Sequence, residues 1–309
     1  MTDRREETRV TACVHDHSQW PGGETLGACR LLTPQTTLAA LSLVREGRVI
    51  DLGQSVQADA PRIPPNQTPY VMSLSARSAS TLRARRAMGV ENEVGSNLER
   101  VGMTLHVGTH IDALGHFTIG DRMFGGRSAE SVVADSGLTE LGAEHIPPIV
   151  TRALVMDFSS LDDGAFLDAG RAIGVADLEA WCGACDLEPR EADAVLIRTG
   201  WSRFYMTDNA RYVAGEPGLD LAAARWLTAR GVVAIGADTM AVEVLPGTDH
   251  PRILMPVHQH CLVEAGVHLI ENLALDALAR AGVREACFIA AAPKFAGATG
   301  APLRPLALV

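Results

Sequence analysis

Short aliphatic runs recur along the chain and limit what it can fold into. Residues 48–52, 70–74, 103–107, 152–156, 194–198, 232–236 and 287–291 each have strand length and strand composition. Between several of them the apolar spacing turns helical. Thr33 followed by Pro34 reads as an N-cap with proline at the first helical position. Leu38, Leu41, Leu43 and Val44 then form a stripe, and Gly47 is the expected stop. Residues 175–181 open with Asp177 near their start, and residues 220–230 carry Leu221, Ala224, Trp226 and Leu227 at helical spacing. Strand runs with helices between them predict an α/β (α+β) fold with a mixed β-sheet. No linker divides the second half, so residues 21–309 are expected to form a single domain. Residues 1–20 are polar and aperiodic and read as a loose N-terminal arm, and residues 58–69 read as a proline-rich loop.

Composition narrows the function classes. Of the 309 residues, 47% are hydrophobic but only 5% aromatic, so Ala, Leu and Val must fill the core. The formal net charge of -10 argues against nucleic acid or an anionic membrane as partner, since both need clustered Lys and Arg. The short basic stretch at 83–86 reads as a solvated helix face. No run approaches the ~18 apolar residues of a membrane span, and no signal peptide is visible. The six cysteines are scattered, which suits free thiols in a reducing, cytoplasmic compartment. A small-molecule substrate is the partner these features leave open.

The chemistry concentrates in one segment. His106, His110, Asp112 and His116 fall within eleven residues, and all are ligand types for zinc, manganese or iron. On a straight strand His106, His110 and Asp112 would share a face. Four strand residues nevertheless span ~13 Å, too far for one ion held by ~2 Å bonds. A helix would bring positions four apart together, yet Val-Gly-Thr is a poor helix interior. A bend at Gly108 removes the conflict by folding His110 back toward His106. Gly115 would then allow a second turn before His116. Further along, His258, His260, His268 and Glu271 offer a second set of candidate ligands.

The run from His106 to His116 resembles the signature of the cyclase family of metal-dependent hydrolases, which includes bacterial kynurenine formamidase and isatin hydrolase. The usual form is His-x-Gly-Thr-His-x-Asp-x-Pro-x-His, and here Leu114 stands where the proline is usual. Stretches at 27–34, 196–201, 235–239, 270–273 and 297–305 are also similar to family blocks. The resemblance implies a swivelling β/β/α fold, a homodimer or homotetramer, and one or two divalent ions, Zn or Mn. It implies that His106, His110 and Asp112 bind the first ion. His116 is then the catalytic residue or a ligand to a second ion. His258 and Glu271 correspond to the family's downstream histidine and glutamate, with His260 as the alternative histidine. The activity implied is hydrolysis of an amide, lactam or aryl-formamide C–N bond by a metal-activated water.

Three other readings compete. The same ion could stabilise an enolate in a cyclisation or dehydration, or serve an ester or lactone hydrolase, acting on a polyketide-like substrate. The chain could bind metal without turnover. Finally, Trp181-Cys182-Gly183-Ala184-Cys185 resembles the thioredoxin motif, which would point to redox chemistry. That motif should open a helix, whereas here it follows a helical pattern, with Gly183 suited to a C-cap.

Overall fold

A computed structural model of the protein describes residues 25–247 and 252–309; the expected N-terminal arm at 1–20 lies outside them. The fold is built on a nine-stranded mixed sheet. From edge to edge its strands are Val49–Asp51, Leu306–Leu308, Glu285–Ala290, Ile149–Asp157, Ala194–Arg198, Ala234–Ala237, His268–Glu271, His110–Asp112 and Gly300–Pro302. The four strands from Ile149–Asp157 to His268–Glu271 run parallel, and the flanking strands are antiparallel. Parallel neighbours need crossovers, and the helices Val175–Cys185 and Leu221–Thr228 supply two of them. This explains why Ala194–Ile197 and Ala234–Ala237 are apolar without alternation: both faces of these strands are buried.

Local signals set the helix ends. Thr33 and Thr36 close a capping box ahead of helix Pro34–Leu41, and the Asp220 side chain accepts the Ala223 N–H at 2.7 Å to start Leu221–Thr228. The first helix nevertheless stops at Leu41, well before Gly47. Its predicted stripe is also not the buried face: Ala40 is buried, while Leu38 and Leu41 are exposed. The helix lies against strands Ile149–Asp157 and Glu285–Ala290, with Ala40 buried and the Thr37 hydroxyl donating to the Val150 carbonyl at 3.3 Å.

A second correction bears on the site. The run at 103–107 is not a strand. The strand ends earlier, at Leu98–Gly102, where it pairs with Val71–Ala76 in a ribbon outside the main sheet. Thr104 accepts the Thr68 N–H at 2.8 Å and ties the base of this ribbon, so the chain passes into turns up to His110. The ribbon and the helix Ser78–Ala87 between its strands contain no buried residue, and Val71, Met72, Leu74, Leu98 and Val101 are exposed. The basic residues at 83–86 lie on that helix, as expected. The strands His268–Glu271, Gly300–Pro302 and Leu306–Leu308 have no strong sequence signal, being too short to show a period. No helix among the described residues is long and apolar enough to cross a membrane.

Candidate metal centre

The strand His110–Asp112 is inserted between Gly300–Pro302 and His268–Glu271, with Glu271 paired to His110 in register. Alternation along the strand puts the His110 and Asp112 side chains on one face. Gly108 makes the predicted bend. Its φ is +74°, and a Cβ there would lie 2.3 Å from Val56 Cγ2, so both backbone conformation and space require glycine. Gly115 lies in the expected turn before His116, where the His116 N–H donates to the Ala113 carbonyl at 2.9 Å. It is not in a left-handed conformation, and its missing Cβ instead gives room to Leu138 Cδ1, 2.4 Å from where that atom would be. Leu114, in the position of the family's proline, is buried in the core and takes no place among the ligands.

These bends bring two groups of ligand atoms together. His106, His110 and Asp112 form one, and Asp112, His258 and Glu271 the other. Within each group the candidate ligand atoms lie within 4.8 Å of one another, and Asp112 is common to both. His106 Nδ1 is 2.9 Å and His110 Nε2 3.5 Å from Asp112 Oδ1; His110 Nε2 is also 3.2 Å from Glu271 Oε2. His258 Nε2 is 3.1 Å from Glu271 Oε1 and 3.7 Å from Asp112 Oδ2.

The ring orientations are set from outside. The Gly108 carbonyl lies 2.8 Å from His110 Nδ1 and accepts its proton, so Nε2 is the nitrogen that faces the carboxylates. The same carbonyl accepts Asn272 Nδ2–H at 3.0 Å, and the Tyr212 hydroxyl donates to Asn272 Oδ1 at 2.8 Å. Thr109 Oγ1 donates to the Asn272 carbonyl at 2.6 Å and accepts the Gln54 N–H at 2.7 Å. His106 Nε2 meets Thr299 Oγ1 at 2.9 Å. Sequence reasoning missed Asn272, Tyr212 and Thr299 as supports: Tyr212 and Thr299 come from distant segments, and Asn272, though next to Glu271, acts through contacts with Gly108 and Tyr212 that no local pattern shows.

What these atoms lack supports a role in ion binding. His110 Nε2 and both Asp112 oxygens are buried and make no well-formed hydrogen bond, only the ionic contacts given above. Buried polar atoms without well-formed hydrogen bonds are costly, and three of them within two adjoining clusters of candidate ligands fit a divalent ion. The electrostatics agree. Burial works against a charged His110, but Asp112 and Glu271 outweigh it and push its pKa up to about 10. Burial and Asp112 would raise the Glu271 carboxyl, yet its contacts to His110 and His258 hold it below the ordinary value. Without a cation the two buried acids depend on these imidazoles for balance, and an ion can take over that role. Two imidazole types and carboxylates suit Zn or Mn.

His116 stands beside both groups rather than in either. Its ring stacks on His106 with centroids 4.1 Å apart, and Phe117 packs edge-on against it at 4.9 Å. Burial pushes its pKa down to about 4, against the pull of Asp112, so it is a neutral base at pH 7. His258 is the downstream histidine in the centre. His260 instead turns to Thr228 and Glu264, at 2.8 and 2.7 Å. His268 is buried, with Nδ1 2.8 Å from the Asp112 carbonyl, and so holds the backbone rather than an ion. The cysteine motif lacks the helix-opening placement and lowered thiol pKa of a thioredoxin-type centre. Helix Val175–Cys185 runs through it to a left-handed cap at Asp186, not Gly183, and burial pushes the Cys182 thiol up to about 11.

Residues 50–244 match the model of the Cyclase family, described as "Putative cyclase". The chain belongs to the Cyclase family. No curated protein matches it. Among solved structures, one of a novel cyclase is 24% identical and covers 93% of this chain and 97% of its own, with a TM-score of 0.81. Isatin hydrolase A from Labrenzia aggregata, bound to benzyl benzoate, is 24% identical over 90% of this chain and 99% of its own, with a TM-score of 0.63. Isatin hydrolase A from Ralstonia solanacearum gives 24%, 90%, 98% and 0.62. These neighbours share the single α/β cyclase fold, so the expected fold class holds. The Cyclase-family match ends at residue 244, before His258 and Glu271, and the structure carries the centre beyond it.

Ion removal has a measurable consequence. Ion at ~1,000 times its Kd stabilises the folded state by about 4 kcal/mol. Stripping the protein with a chelator should lower Tm by on the order of 10 °C, and added Zn or Mn should restore it. An unchanged Tm in protein shown to have lost its metal would count against the centre.

Proposed function

We propose that this Cyclase-family member is a metal-dependent hydrolase that cleaves an amide, lactam or aryl-formamide C–N bond. The observation that carries the reading is the pair of buried ligand clusters that share Asp112, in which His110 Nε2 and both Asp112 oxygens make no well-formed hydrogen bond. His106, His110 and Asp112 would hold the first ion; Asp112, His258 and Glu271 would hold a second where one binds. A bound Zn or Mn would supply Lewis acidity toward a carbonyl and lower the pKa of a water. The chain's own groups do the rest. His116, neutral and next to His106, would take a proton from the water whose oxygen bonds to the carbonyl carbon, and pass it to the leaving nitrogen as the C–N bond breaks. Phe117, against both His116 and His258, limits water at that edge. The likeness to the isatin hydrolases supports a cyclic amide or a related aryl amide as substrate. The exposed apolar ribbon at 71–76 and 98–102 supports a homodimer or homotetramer that covers it.

The test is a substrate panel run on protein of known metal content. Aryl formamides, lactams, aryl esters, lactones and β-keto compounds are offered together. Turnover of amides or lactams that stops on chelation is the expected result. Turnover confined to β-keto compounds, with no bond hydrolysed, would replace this reading with a cyclase or dehydratase.

A further inference from the structure

The loop after strand Ala234–Ala237 carries a buried acid, Glu243, that belongs to neither ligand group. Its Oε1 lies 2.5 Å from His258 Nδ1 and accepts the His258 N–H at 3.0 Å, and its Oε2 accepts the Val257 N–H at 3.3 Å. The opposite ring nitrogen, Nε2, is the one that faces Glu271 and Asp112. His258 is therefore strung between an acid on the outside and the shared acids of the centre. Glu243 is itself held firmly. Residues 240–244 are all buried, and Glu216 accepts the Met240 and Ala241 N–H groups, both at 2.7 Å.

We propose that Glu243 is a positioning residue that keeps the His258 proton on Nδ1 and so commits Nε2 to the ion shared by Asp112 and Glu271. A neutral imidazole has one donor and one acceptor nitrogen, and a carboxylate against Nδ1 decides which is which. The same contact fixes the ring plane and makes the far nitrogen a better ligand. A purely structural alternative exists: Glu243 could serve only as acceptor for the first N–H groups of helix Pro256–His258, whose N-cap has no side-chain partner. The two roles differ in whether the effect of Glu243 passes through the His258 ring.

The inference rests on His258 being an ion ligand, and its readout is binding, so it can fail while the hydrolase reading stands. Metal-stripped wild-type protein, Glu243→Gln, His258→Ala and the double variant are titrated with Zn²⁺ alone by calorimetry. Leu278→Ala, a buried leucine on helix Asp276–Arg280, serves as a control for lost stability. Glu243→Gln should weaken the His258-dependent ion affinity by ~10–100-fold. The double variant should bind no more weakly than His258→Ala alone. Leu278→Ala should lower Tm without moving the affinity. The proposal is overturned if Glu243→Gln binds as wild type does, if its loss adds in full to that of His258→Ala, or if His258→Ala itself leaves the affinity unchanged.

Discussion

His110→Ala should lose its metal and with it more than about 100-fold in kcat/KM, since even outer-shell partners of an ion are worth ~10–100-fold. His110 is central to the geometry. Its Nε2 lies within 3.5 Å of Asp112 and 3.2 Å of Glu271, and so touches both ligand groups. Alanine removes a candidate ligand nitrogen and the group that balances two buried carboxylates in the metal-free protein. Breaking a buried ionic contact in this way costs about 3–5 kcal/mol, so the variant should also melt earlier. Metal content by elemental analysis and turnover on the same sample check the prediction. A variant that keeps both its metal and its activity removes the basis of the proposed mechanism.

His116→Ala should behave in the opposite way toward the ion. The His116 ring lies against His106 but enters neither ligand group, so metal content should hold while kcat falls by ~10²–10⁴-fold, the usual contribution of a positioned acid–base group. The cavity left behind should admit added imidazole and recover part of the rate. Loss of one equivalent of metal, with no imidazole rescue, would make His116 a second-ion ligand instead. Together the two variants separate holding the ion from moving the proton.

The legible part of this protein was the part carried by local chemistry. The aliphatic runs at 152–156 and 194–198 became central strands because four or more apolar residues in a row can be buried on both faces of a parallel sheet. Thr33-Pro34 marked a helix start because capping is decided within three residues. The run at 103–107 misled because its composition suits a strand, while its Thr104 contact and the bend at Gly108 hold it in turns. Leu38 and Leu41 misled for a related reason: helical spacing shows that a stripe exists, not whether a partner covers it.

The same division runs through the centre. By itself the sequence determined which residues can ligate and that Gly108 must bend, because ligand type and left-handed backbone are properties of single residues. Only the tertiary structure decided that His258 and not His260 joins Asp112. Two residues apart on a helical segment point in nearly opposite directions, and the placement of the segment against the sheet selects one of them. Only it placed Glu271 beside His110, through the register of two strands far apart in the chain, and brought Glu243 behind His258. Those contacts are set by packing over long sequence distances, which no local pattern encodes.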